Sequence, residues 1–63
     1  MNHAEQAYTH ADKAVHHYLR LLGGSLSPAQ RHEARLALIR AVFHRARARV
    51  ELGRSEYREV VEV

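Results

Sequence analysis

Tyr18-Leu19-Arg20-Leu21-Leu22-Gly23-Gly24-Ser25-Leu26-Ser27-Pro28-Ala29-Gln30 is the stretch that decides the fold. An apolar run ends at Leu22, and the glycine pair behind it reads as a helix C-cap, because Gly accepts the left-handed conformation common there. Ser27 then reads as the N-cap of a second helix. Pro28 takes the tolerated first position, and Gln30 completes a Ser-x-x-Gln capping box. Working outward, the pattern predicts helices over about 3–22 and 28–52. Gly53 is expected to end the second one. Residues 1–53 therefore form one helical hairpin, and 54–63 a short helical or frayed tail. In that tail Ser55 could cap a turn carrying Tyr57, Val60 and Val61 at i, i+3 and i+4.

Both helices carry a heptad. Core positions are Met1, Ala4, Tyr8, Ala11, Val15, Tyr18 and Leu22 on the first helix. On the second they are Ala29, His32, Leu36, Ile39, Phe43, Ala46, Val50 and Gly53. Folding the chain back at the glycines pairs these positions in layers, such as Val15 with Leu36, Ala11 with Ile39 and Tyr8 with Phe43. One register serves the whole length, which predicts an all-α, antiparallel helical hairpin. The same register sets Glu5 opposite Arg47 and Asp12 opposite Arg40 as ion pairs. It also sets His32 against Tyr18, so acid should destabilise the fold as the imidazole becomes charged. Ala34, Ala41 and Ala48 fall on the far face, as helix formers or as a smooth track for another helix.

A chain of 63 residues supports only a marginal core. With no Cys it has neither disulfide staples nor thiolate metal sites. The hairpin leaves an apolar flank of Ala7, Ala14, Leu21, Leu38 and Val42. That flank predicts a homodimer, two hairpins joined into a four-helix bundle.

The ten basic residues include nine Arg, a bias toward fixed contacts with carboxylate or phosphate. Six of them lie within 28–52 against Glu33 and Glu51, making this segment the basic part of the chain. Arg31, Arg35, Arg45 and Arg49, with the tail residues Tyr57, Val60 and Val61, are the expected partner-binding set. They point to a small regulator or adaptor that binds a protein with an acidic surface. Nucleic-acid binding through the same Arg is the second expectation, and a purely structural oligomerisation unit the third. No catalytic residue emerges, since no nucleophile, base and orienting group share a spacing. No metal or cofactor is expected either: His3, His10 and His17 lie about 10 Å apart along a helix, too far to share one ion. The longest aliphatic run, Leu36-Ala37-Leu38-Ile39, is too short for a membrane span, so a cytoplasmic location is expected.

Glu51-Leu52-Gly53-Arg54 followed by Tyr57 and Val60-Val61 resembles the inter-helix turn of a tetratricopeptide repeat. Arg45 and Ala46 stand where that motif has Leu-Gly, however, and no period near 34 residues is present. No function is carried over from it.

Overall fold

The computed structural model describes the backbone of residues 3–62 and the side chains of 3–54 and 56–58. Two helices account for it: α1, His3–Leu22, and α2, Pro28–Glu62, with no strand among the described residues. The capping box forms as expected. Ser27 N–H donates to Gln30 Oε1 at 3.0 Å, and Gln30 N–H donates to Ser27 Oγ at 3.2 Å. The end of α1 differs. No glycine has positive φ; instead the last turn tightens. Gly23 N–H is shared between the carbonyls of Leu19 and Arg20, both at 3.2 Å, and Gly24 N–H donates to Leu21 at 3.1 Å. The Leu22 carbonyl accepts from Arg31 Nη1 at 3.2 Å, so a side chain of α2 closes the end of α1.

α2 also runs through Gly53 instead of stopping there. Glycine inside a helix costs only about 1 kcal/mol relative to alanine. Ion pairs brace the segment: Arg54 with Glu51 at 3.0 Å, and Arg49 with Glu56 at 4.0 Å. No inter-helix turn is formed at Gly53, which removes the likeness to a repeat turn.

The helices pack antiparallel. Tyr18 and Ala34 line one hollow near the loop, Ala11 and Ala41 one in the middle, and Ala4 and Ala48 one near the open end. The layer spacing is close to the expected register, and the α1 seam is as read from Ala4 to Leu22, with Ala11 and Val15 buried; Met1 lies outside the described residues. The rotation of α2 is the correction. Ala34, Ala41 and Ala48 are its buried residues, whereas Leu36, Ile39, Phe43 and Val50 lie 43–75% exposed. At 3.6 residues per turn the helix is turned by about half a revolution from the expected setting. The reason is size. α1 already brings Tyr8, Val15 and Tyr18 to the seam, and alanines opposite them let two backbones approach without overpacking.

The rotation changes several local readings. His32 is exposed and does not sit in the seam against Tyr18 as expected. Asp12 pairs with Arg45, at 3.0 Å, and not with Arg40. The molecule measures 53 × 16 × 14 Å. That length is the length of α2, about 52 Å for 35 residues, against about 30 Å for the 20 residues of α1. No described helix is long and apolar enough to cross a membrane.

Candidate functional site

The rotation of α2 creates a groove along one side of the hairpin. On α2, Arg40, His44, Arg47, Glu51, Arg54 and Arg58 follow one another at spacings of three and four, so they share an edge. On α1, His3, Ala7, His10, Ala14 and Leu21 form the facing edge. Three hollows lie in line between these edges. At the loop end the walls are apolar: Tyr18, Leu21, Leu26, Ala34, Leu36 and Ala37, beside Gln30, Glu33 and Arg40. The middle hollow, of about 590 Å³, has a floor of Ala7, Ala11, Ala14 and Ala41 with His3, His10, Arg40 and His44 around it. At the open end, Arg47, Arg54 and Arg58 surround Ala4, Ala7 and Ala48.

The groove therefore changes character along its length, apolar by the loop and basic at the far end. Among the described residues Arg54 is held by Glu51, while no ion pair engages Arg40, Arg47 or Arg58. Those three Arg side chains are exposed.

The Arg residues expected to bind a partner are divided by the fold. Arg31 and Arg45 are half-buried and committed internally, to the Leu22 carbonyl and the Asp12 carboxylate. Arg35 and Arg49 remain exposed, on the opposite flank from the groove. Tyr57 is 69% exposed; the side chains of Val60 and Val61 lie outside the described residues. The five expected dimer residues are also divided. Ala7, Ala14 and Leu21 line the groove, whereas Leu38 and Val42 turn to the other flank of α2, where Arg45 meets Asp12. They do not form one continuous face. His16 stays local, with Nδ1 at 2.8 Å from the Asp12 carbonyl oxygen and 3.5 Å from its carboxylate. Among the described residues no group of three or more His, Asp or Glu side chains is placed to hold a metal ion.

Sequence reasoning missed Arg40, Arg47, Arg54 and Arg58 as one row. Their spacing was visible; which way the row faced depended on the rotation of α2. The chain matches no family model, no curated protein and no solved structure. The reading of the groove therefore rests on its chemistry.

Proposed function

We propose that the protein is a non-enzymatic binding module, a small regulator or adaptor whose groove takes an acidic, amphipathic helical segment of a partner protein. The observation that carries this reading is the row of Arg40, Arg47 and Arg58, which no ion pair engages among the described residues, beside a floor of small alanines. A helix laid between α1 and α2 would approach closely over Ala7 and Ala14. It would set carboxylates against the Arg row and seat an apolar side chain near Leu21 and Leu26. The apolar loop end favours a protein over a nucleic acid, because phosphate attraction needs charge but no apolar anchor.

Nucleic-acid binding is the second reading, supported by the same Arg row. Fluorescence anisotropy separates the two, using a labelled peptide helix with Leu and Glu on one face and, separately, mixed-sequence RNA and duplex DNA. Protein recognition predicts that Leu21→Ala weakens the peptide and that Arg47→Gln weakens it further, with binding surviving about 200 mM salt. Nucleic-acid recognition predicts indifference to Leu21→Ala and a loss of one to several decades of affinity between about 50 and 200 mM salt.

A further inference from the structure

On the face of α2 opposite α1, a second heptad stands uncovered: Leu36, Phe43, Val50 and Tyr57 every seven residues, with His32, Ile39, Ala46 and Gly53 between them. Phe43 is 75% exposed and Tyr57 69%. Uncovered aliphatic and aromatic side chains in this pattern are the seam of a coiled coil. The size sequence along the stripe identifies what fits it. In an antiparallel pair of helices, each position of one set faces a position of the other. When α2 is laid against a copy of itself with the two-fold axis beside His44 and Arg45, the layers become Phe43 on Ala46, Leu36 on Gly53, Ile39 on Val50 and His32 on Tyr57. Large meets small in the Phe43 and Leu36 layers, Ile39 and Val50 are of similar size, and two rings, His32 and Tyr57, meet at the ends. His44 and Arg45 are also the middle of α2, so the two helices overlap along their whole length.

Gly53 supplies an independent observation. It has no positive φ, and a Cβ added there would meet nothing within 4 Å. Neither the backbone of α2 nor its own neighbours require glycine at this position, although glycine weakens the helix. Leu36 of a second copy would occupy the space that it leaves. The flanking charges agree at the ends of the seam, where Glu33 faces Arg54 and Arg35 faces Glu56 across the two copies, each twice. In the middle Arg40 faces Arg47, the one like-charge pairing. A parallel pair would be worse, setting Arg35 against Arg40 and Arg49 against Arg54.

We infer that the outer stripe of α2 is a homodimer interface, two α2 helices crossing antiparallel at the centre of a four-helix assembly with the α1 helices outside. This stripe adjoins the groove, sharing Leu36 with its loop end and Arg40, Arg47 and Arg54 along its edge, but the size pairing of its layers does not depend on whether the groove binds an acidic helix. Sedimentation equilibrium of the intact chain and three variants tests it. The wild-type protein is expected at twice its 7.2 kDa at micromolar concentration. Gly53→Leu, which removes a helix-weakening residue and fills open space in the monomer, should leave helix content undiminished by circular dichroism. It should weaken dimerisation by at least about tenfold through collision with Leu36. Leu36→Ala combined with Gly53→Leu exchanges large and small across the layer and should recover most of that loss; Leu36→Ala alone should not. A monomeric wild-type protein at about 100 μM would overturn the inference. So would a Gly53→Leu variant that dimerises as well as the wild type, or a double variant with no recovery.

Discussion

Ala41 and Phe43 stand two residues apart on α2 and are treated in opposite ways: Ala41 keeps 6% of its surface and Phe43 keeps 75%. The same contrast runs along the helix, with Ala34 and Ala48 inward and Leu36, Ile39 and Val50 outward. Hydrophobicity alone would put the larger side chains inside, since burying each is worth about 1.5–3 kcal/mol. Shape decides otherwise. A two-helix seam has room for one bulky side, and α1 supplies it with Tyr8, Val15 and Tyr18. The inner face of α2 is therefore selected for close approach, and its outer face keeps the apolar area for other contacts.

The most direct way to break this contrast is Ala41→Leu. Overpacking the seam should cost about 1–3 kcal/mol, seen as a drop in urea midpoint and a fall in melting temperature of several degrees. Phe43→Ala is the matching change on the outer face. At protein concentrations low enough to keep the chain monomeric it should move the urea midpoint little, whereas at high concentration it should lower the melting temperature. Equal losses from both variants at low concentration would mean that the two faces are not different in kind. Ser27→Ala sharpens the comparison from outside it, by removing one half of the capping box. A loss of about 1 kcal/mol is expected, read as reduced helicity and a lower urea midpoint, with no change in association. The smallest effect belongs to Asp12→Asn. Its pair with Arg45 is about one-third exposed on both sides, so its removal should cost about 0–1 kcal/mol. The difference from wild type should shrink in about 1 M salt as screening removes the attraction.

Most of the hairpin could be read from residues in the glycine loop and on α1. Helix starts and stops there depend on local chemistry: a capping box, a proline at its first position, a pair of glycines after an apolar run. The antiparallel layering followed from heptad spacing. The rotation of α2 did not, because that helix carries two apolar rows of equal period, one of alanines and one of larger residues. Choosing between them requires knowing what faces them. Tyr8, Val15 and Tyr18 held that information, as bulky partners that call for small residues opposite. Everything tied to the rotation moved with it: the Asp12 partner, the exposure of His32, and the assembly of Arg40, Arg47 and Arg58 into a row. Gly53 was read as a stop because glycine commonly ends helices, but its cost inside one is only about 1 kcal/mol and α2 runs through it without a positive φ.

The loop end of the molecule is fastened from several directions, by the shared bond of Gly23, the reciprocal bonds of Ser27 and Gln30, and the reach of Arg31 to Leu22. The chain separating partners is shortest there and lengthens steadily toward Ala4 and Ala48, so closure entropy grows in the same direction. Folding should begin at residues 22–31 and proceed like a zip, with the few long-separation contacts made last. In the native monomer the same gradient governs opening. Amide protons around Val15 and Ala34 should exchange with solvent more slowly than those around Ala7 and Ala48, and the distal arm of α2 should exchange fastest unless another helix lies against it.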